Sequence, residues 1–421
     1  MKTTRHRRPG IRWGRVVLLP ILVVAIAVAF MAVIYINDQK NLKSIEDRVK
    51  QLQEELQEYL NGHQNQELVQ TVIASADGLA LRYEYEEALV ILKQHDAIQS
   101  NETIKAKIVE YQTALDSMVV YSEDIQIIFF HTLVNNTKLA FDGKSGYDLW
   151  TITNNEFKAI IQQLYDRQYI LYDIHDAYDL TAGKMGRKVV KVPAGKIPLI
   201  LMVDEMAYQD PMPLKGYARG MGIRDGEIVS RILTAEGVDY TKDGDVVPII
   251  EEFLKTHPDF SYRGARGVLS LTGFAGTLGY RLTNDIEVND AKLLANLLKE
   301  KGWDFACTTY ADLEDIYVTN PTYAKIKADL KKWDDKIKPI VGDSLIFVSP
   351  YGNRLSGDNL RAIREYGYTT YFYDDNRPNE TVSESVLFLS RVGITGRSFT
   401  TNASYINENY FKISEILDPA R

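Results

Sequence analysis

The spacing of apolar residues changes along this chain, and each pattern predicts a different kind of structure. Residues 16–36 form one apolar run, interrupted only by Pro20, and a transmembrane helix needs about 20 such residues. Residues 38–61 carry apolar side chains at alternating spacings of three and four, which predicts a coiled-coil-like stalk. From residue 124 to the end, apolar runs of strand length alternate with amphipathic helical stretches. We therefore expect a membrane segment, a stalk and an α/β domain.

The stalk and the residues that follow it are predicted to be helical. The apolar seam of the stalk consists of Leu42, Ile45, Val49, Leu52, Leu56 and Tyr59. Because this seam is shorter than three heptads, a simple stalk helix and a dimerising stalk that makes a homodimer both remain open. Residues 65–120 are predicted to form further helices. Within this range, residues 80–92 resemble half of a tetratricopeptide-type hairpin. A single such unit favours a spacer over a peptide-binding repeat array.

Residues 124–421 have the pattern of one α/β domain. The predicted strands are residues 125–130, 197–203, 303–306, 345–348 and 369–373, and the predicted helices are residues 154–168, 246–256, 291–301 and 322–337. Strands that are apolar along their whole length are buried on both faces, and their alternation with helices indicates a parallel sheet or barrel. Residues 216–222 are rich in glycine without a phosphate-binding pattern and are predicted to form a loop.

The residues around the apolar run predict its orientation. Six basic residues and no acidic ones precede it: Lys2, Arg5, Arg7, Arg8, Arg12 and Arg15. Because basic flanks stay in the cytoplasm, residues 1–15 are predicted to be a cytoplasmic tail, and everything after the run to lie outside the cytoplasm. The alternative is a cleaved signal peptide. Bulky residues at 33–36, instead of a small-residue cleavage site, favour an uncleaved signal-anchor helix.

Composition narrows the class of protein. With 45% hydrophobic and 25% charged residues, the chain has the composition of a globular protein and not of a disordered one. Its formal net charge is −8, and the basic residues before the apolar run lie outside the predicted ectodomain, which is therefore more acidic still. An acidic ectodomain does not favour nucleic-acid binding. The single cysteine, Cys307, excludes an intrachain disulfide, so the fold depends on core burial.

Polar residues follow three of the predicted strands. Asp204 and Glu205 come directly after the most apolar strand, Thr308 and Asp312 follow residues 303–306, and Tyr351 follows residues 345–348. In α/β sheets and barrels, reactive groups gather beyond the carboxyl ends of the strands, so we expect these residues to face one pocket. The alternative for Asp204 and Glu205 is a structural one, in which the pair caps the turn after its strand.

These strand ends belong to a wider set of motifs. The set comprises residues 198–205, 257–267, 271–274, 278–281, 302–306 and 347–352. It resembles the polysaccharide deacetylase (NodB-homology) family, of the kind anchored in bacterial membranes, over about residues 125–400. The resemblance implies a distorted (β/α) barrel that removes N-acetyl groups from surface glycans.

The resemblance also implies roles for individual residues. In that family an aspartate and two histidines spaced HxxxH hold a divalent metal ion, and a neighbouring aspartate is the catalytic base. By position, Asp204 would be the base and Glu205 the metal carboxylate, while the two histidine positions fall on Thr308 and Asp312. The arginine of the family falls near Val348. Oxygen donors suit hard cations, so we expect a divalent metal to be held weakly if at all, and catalysis to be weak or lost.

Aromatic residues suggest that sugar binding persists without catalysis. Tyrosine presents a flat face on which a sugar ring can stack and a hydroxyl that can hydrogen-bond. The candidates in or near the strand-end loops are Tyr208, Tyr262, Tyr310 and Tyr351. His131 follows a predicted strand, and a buried, hydrogen-bonded role is favoured for it. Cys307 has no histidine next to it in sequence, which disfavours a thiol nucleophile.

The sequence therefore predicts a single-pass protein of the cell membrane whose barrel binds cell-wall or exopolysaccharide glycan. Two alternatives remain open. One is an active metal-dependent glycan N-deacetylase with an unusual oxygen-rich site. The other is a non-catalytic surface scaffold in which the stalk and helices recruit a partner.

Overall fold

A computed structural model of the chain describes residues 50–51, 65–94 and 101–421. The predicted membrane segment lies outside the described residues, as does almost all of the predicted stalk. Within the described residues, no helix has both the length and the apolar character needed to cross a membrane. Residues 73–95 and 101–421 form one compact unit, which contains the whole α/β domain.

The helices and strands of the described residues are numbered in chain order. The α-helices are α1 (Asn65–Ala80), α2 (Tyr85–Lys93), α3 (Glu102–Asp116), α4 (Thr137–Ala140), α5 (Tyr147–Trp150), α6 (Asn154–Asp166), α7 (Ile174–Ala177), α8 (Val246–Thr256), α9 (Asp285–Glu300), α10 (Tyr323–Lys336), α11 (Lys338–Val341), α12 (Gly357–Glu365), α13 (Ser398–Thr401), α14 (Ala403–Asn409) and α15 (Ile413–Ile416). The strands are β1 (Val119–Val120), β2 (Gln126–Phe130), β3 (Tyr169–Leu171), β4 (Tyr178–Asp179), β5 (Gly186–Arg187), β6 (Lys191–Val192), β7 (Ile197–Val203), β8 (Ala218–Arg224), β9 (Glu227–Thr234), β10 (Gly237–Thr241), β11 (Gly267–Leu271), β12 (Trp303–Cys307), β13 (Ile346–Val348), β14 (Thr370–Asp374), β15 (Glu380–Ser383) and β16 (Val386–Gly393).

Within the described residues, seven parallel strands close into a barrel in the order β7, β11, β12, β13, β14, β16, β2 and back to β7. One edge of β7 is shared between two partners, because its amino-terminal half pairs with β3 and its carboxyl-terminal half with β11. The antiparallel strand β15 pairs with β16 outside the ring. The parallel ring is closed, and the predicted (β/α) barrel is confirmed.

Alternating side chains of the strands build two apolar layers. On β7, Leu199, Leu201 and Val203 belong to the cluster that includes the surrounding helices. Ile200 and Met202 belong to a second cluster, to which every strand of the ring contributes, and which fills the barrel interior. Because each of these β7 residues is fully buried, β7 has no polar face, which is why its sequence is one continuous apolar run.

A three-stranded antiparallel sheet, β8 to β10, is inserted between β7 and α8. It corrects the prediction that residues 216–222 form a loop, since most of that segment belongs to β8. The glycines there serve close packing of two backbone segments. A Cβ on Gly220 would lie 2.6 Å from the Cα of Gly279, and Gly220 has a φ of +152°.

Candidate functional site

A cluster of polar side chains, called the polar pocket below, lies at the carboxyl ends of the barrel strands. Since successive side chains of a strand point to opposite faces, Asp204 points inward like Ile200 and Met202 before it. The same alternation brings to the pocket His131 after β2, Ser270 at the end of β11, Thr308 after β12, Asp374 at the end of β14 and Arg391 in β16. Polar residues therefore cover one end of an apolar interior.

Arg391 is the buried cation of this pocket, with 1% of its surface exposed. Its Nη1 donates a hydrogen bond to Oδ1 of Asp204, and its Nε donates one to Oδ1 of Asp374 at 2.9 Å. Ser270 Oγ donates a second hydrogen bond to the same Asp204 oxygen at 2.8 Å. The guanidinium carbon also lies 4.0 Å from the ring centroid of Phe129. Arg391 therefore balances and orients two carboxylates at once.

Glu205 and Asp312 form a carboxyl pair beside Asp204. Their carboxyl groups lie close enough to influence each other, and both backbones turn through positive φ, +52° and +49°. Burial raises the pKa of Glu205, and the charge of Asp204 raises it further. Burial likewise raises the pKa of Asp312, with an added contribution from Glu205. Two carboxyl groups placed in this way hold protons more readily than exposed ones do.

Thr308 does not offer a free oxygen at the position where the family places a histidine. Its side chain is 2% exposed, and its hydroxyl donates to the carbonyl oxygen of Val348 at 3.3 Å. Within the described part of the chain, no group of three histidine, cysteine, aspartate or glutamate side chains is arranged to hold a metal ion. Glu205, Thr308 and Asp312 therefore do not fit the transition-metal site that the resemblance implies.

His131 lies against the same charged groups. Burial lowers the pKa of its imidazole, and the nearby charge of Asp204 opposes that shift. Its Nδ1 is buried and has no hydrogen-bond partner among the described residues. His131 was expected to be buried and hydrogen-bonded, but the residue as a whole is half-buried and this nitrogen makes no hydrogen bond.

Two of the four candidate tyrosines lie at the pocket. Tyr351 is 61% exposed, and its hydroxyl donates to the backbone carbonyl of Asp312 at 3.2 Å. Tyr310 is half-buried in the loop after β12, where its N–H donates to Asp329 at 2.8 Å. The Tyr351 ring borders the carboxyl pair, whereas the Tyr310 ring packs on the backbone of Gly273 with Lys332 over it.

The other two tyrosines are buried in the core, unlike Tyr351. Tyr208 is 2% exposed and its hydroxyl lies beside the carboxyl group of Asp245. Tyr262 is 8% exposed and stacks on Tyr172 at 4.7 Å between ring centroids. It precedes β11 and so lies at the amino-terminal end of the barrel, away from the pocket.

The sequence interpretation missed Arg391 and Ser270, which hold Asp204 in place, and Asp374, which accepts a hydrogen bond from Arg391. Ser270 and Asp374 lie at inward-facing positions at the ends of their strands. The alternation of inward and outward positions was the sequence signal that could have identified them. Arg391 ends the inward face of β16, an apolar strand that was not predicted. A buried arginine after residues 386–389, all apolar, signals an internal ion pair.

Comparisons with known proteins give structural matches alone. No protein-family model matches the chain, and no curated protein does. Among solved structures, IcaB from Ammonifex degensii is similar at 11% identity and a TM-score of 0.39, covering 68% of this chain and 97% of that one. The Streptococcus pyogenes deacetylase PplD in complex with acetate is similar at 12% identity and a TM-score of 0.41, covering 68% and 98%. A de-N-acetylase from Aggregatibacter actinomycetemcomitans is similar at 14% identity and a TM-score of 0.41, covering 67% and 99%.

Deacetylases thus recur among the matching structures, in accord with the motifs of the sequence. Each of these TM-scores is below 0.5.

Proposed function

We propose that the barrel binds N-acetylated cell-wall or exopolysaccharide glycan at the polar pocket, and that deacetylation there is weak or lost. The observation that carries this proposal is the state of Thr308. Where metal chemistry would need an imidazole nitrogen, the chain has a buried hydroxyl that is already bonded to a strand carbonyl. Thiolate and imidazole ligands give zinc-type sites their affinity, and this position supplies neither.

The pocket retains groups that suit a sugar. Asp204, Glu205 and Asp312 offer carboxyl oxygens to sugar hydroxyls and to an acetamide N–H, while Tyr351 exposes a ring and a hydroxyl next to them. Ligand sites of this kind combine apolar surface with a few convergent polar groups. Because Arg391 and Ser270 hold Asp204 in one orientation, the pocket has a preformed polar edge before any ligand arrives.

The second candidate is a working N-deacetylase, and the retained Asp204 favours it. This carboxylate keeps the position of the base and is held by two donors. Deacetylation would also require a group that polarises the acetamide carbonyl. Glu205 and Asp312 could contribute to holding a divalent ion only through oxygen atoms, so any such ion would be a hard cation and weakly held.

One experiment separates the two candidates. Purified full-length protein is assayed for bound metal, for affinity to N-acetylglucosamine oligomers, and for acetate release with added Mn²⁺, Co²⁺ or Zn²⁺. We expect glycan binding without acetate release. Acetate release that disappears in Asp204→Asn and persists in Asp375→Asn, an exposed aspartate next to Asp374, would establish the enzyme instead. The absence of any glycan binding would favour the scaffold.

We also propose that residues 16–36 anchor the protein in the cell membrane, with the barrel on the outer side. The apolar run and its basic flank support this orientation. The stalk seam is the candidate surface for a homodimer. Protease added to intact cells should cleave the barrel, and crosslinking in membranes should report the dimer. Protection of the barrel from protease would contradict the proposed orientation.

A further inference from the structure

One charged residue lies on the buried face of α10. The buried residues of this helix are Ile326, Asp329, Leu330 and Trp333, which recur at the spacing of a single helix face. Ile326, Leu330 and Trp333 belong to the apolar cluster that includes the surrounding helices. Asp329 is 3% exposed, although an aspartate is seldom buried without partners. Its carboxyl group therefore lies in an apolar layer and has to be satisfied there.

Asp329 is satisfied by three donors from one stretch of chain, residues 310–317. Its Oδ2 accepts hydrogen bonds from the N–H of Tyr310 at 2.8 Å and from the hydroxyl of Tyr317 at 2.9 Å. Its Oδ1 accepts one from the N–H of Ala311 at 2.9 Å. Burial raises the pKa of Asp329, and these three hydrogen bonds oppose that shift because they favour the charged carboxylate. Two of the three bonds hold the backbone of the loop that follows β12.

The loop that Asp329 holds, residues 308–312, has an unusual backbone. Thr309 has a φ of +64° and Asp312 a φ of +49°. Residues with a Cβ rarely adopt positive φ, and β-branched threonine least of all, so such conformations persist only where surrounding groups enforce them. Within the loop, the N–H of Asp312 donates to Oγ1 of Thr309 at 3.0 Å. The loop ends at Asp312, whose carboxyl group lies beside Glu205, so its backbone decides where that group is placed.

Two further hydrogen bonds reach this loop from the neighbouring strand ends. The N–H of Gly273 donates to the carbonyl oxygen of Tyr310 at 3.0 Å, and the hydroxyl of Tyr351 donates to that of Asp312 at 3.2 Å. Tyr351 is 61% exposed, so water can replace its bond. The acceptor supplied by Asp329 is buried, and a buried N–H that loses its acceptor keeps the full cost of desolvation. Among these side chains, Asp329 is therefore the one on which the loop depends most.

We propose that Asp329 is a positioning residue of the polar pocket, which holds the loop 308–312 from α10 and so keeps the carboxyl group of Asp312 beside Glu205. Asp329 acts through the backbone of the loop and does not need to touch a ligand. Its functional consequence rests on the proposed glycan binding. Because only molecules with the loop in place offer Asp312 to a sugar, the fraction of such molecules sets the apparent affinity of the pocket.

The test compares Asp329→Asn with Tyr317→Phe in the full-length protein. Asparagine has nearly the same shape but only one acceptor oxygen, so the N–H of either Tyr310 or Ala311 loses its partner. Phenylalanine at position 317 removes the third hydrogen bond from the same carboxyl group and leaves both loop bonds in place. Because Tyr317 is also fully buried, Tyr317→Phe is the matched control for a general loss of stability.

Two measurements are made on each protein. Hydrogen–deuterium exchange of peptides that cover residues 308–312 reports on the loop, and titration with N-acetylglucosamine oligomers reports on the pocket. In Asp329→Asn we expect exchange of these amides to accelerate, and glycan affinity to fall, by roughly tenfold each, as the loss of a hydrogen bond to a charged group predicts. In Tyr317→Phe we expect wild-type exchange and affinity with a lower melting temperature. Asp329→Glu, whose longer side chain displaces both acceptors, replaces Asp329→Asn if the latter does not fold.

The possible results are distinct. Unaltered exchange of residues 308–312 in Asp329→Asn would overturn the positioning role. Equal losses of affinity in Asp329→Asn and Tyr317→Phe would also overturn it, because the effect would then be one of general stability. Faster exchange with unaltered affinity would show that the pocket does not depend on the loop, which contradicts the proposal as well. A wild type that binds no oligomer would overturn the proposed function, and loop exchange alone would then decide whether Asp329 holds the loop.

Discussion

Replacing Arg391 with methionine tests whether the pocket is organised by one buried cation. The change keeps much of the side-chain volume, but it removes the only guanidinium that contacts Asp204 and Asp374 among the described residues. Arg391 is 1% exposed and Asp204 is 6% exposed, so water cannot replace the lost charge easily. Removing one partner of a buried ion pair typically costs about 3–5 kcal/mol of unfolding free energy. We expect a loss in that range.

The assay is urea unfolding of the full-length protein followed by circular dichroism. Lys331→Met is the control, because Lys331 forms an exposed pair with Asp335 one helical turn away, and its removal should not change the midpoint measurably. Asp204→Asn in the Arg391→Met background should restore part of the loss, since it removes one of the two unbalanced carboxylates. A loss below about 1 kcal/mol, or no restoration, would refute the argument that Arg391 balances a buried charge.

Three other predictions follow from the site and the core. Changing Thr308 and Asp312 together to histidine should create affinity for Zn²⁺ or Co²⁺ measurable by calorimetry; no new affinity would count against the positional correspondence with the family. Burial raises the pKa of Asp245 to about 6, above its value in the unfolded chain, so the folded protein binds a proton more readily. The folded protein should therefore lose roughly 2–3 kcal/mol of stability as the pH rises from about 4 to 6. Asp245→Asn should flatten that dependence in melts across this pH range, and an unchanged slope would show that another group is responsible. Tyr262→Ala should lower the free energy of unfolding by about 3–5 kcal/mol without weakening glycan binding, because this ring is buried. Tyr351→Ala should weaken glycan binding without lowering stability. Chemical denaturation and glycan titration of the same samples test both, and the opposite assignment of the two effects would contradict the prediction.

Local patterns in the chain were enough to locate most of the barrel elements. The predicted strand 197–203 coincides with β7, and the predicted helix 246–256 coincides with α8. Both follow from periodicity, since a strand buried on both faces is continuously apolar and a helix on the barrel surface is amphipathic. Asp204 and Glu205 could be placed at a strand end for the same reason.

Some local features were misleading because their cause lies in another segment. Glycines at 216–222 have the composition of a loop, but Gly220 lies in β8 and lets the strand approach Gly279 closely. Tyr262 lies in a motif that resembles the family, but its ring is used in stacking with Tyr172. Neither close approach can be inferred from neighbouring residues, because both partners are distant in sequence.

The order of apolar and polar residues was sufficient to establish an α/β barrel with carboxyl groups at a strand end, because strand and helix periodicity is a local property of the chain. The contacts that define the pocket depended on barrel closure. Arg391 and Asp204 are 187 residues apart, and they meet because β16 and β7 lie on either side of β2 in the ring. The pairing of Glu205 with Asp312 and the bond from Thr308 to Val348 likewise join different strands, so only the folded ring could decide which side chains share the pocket.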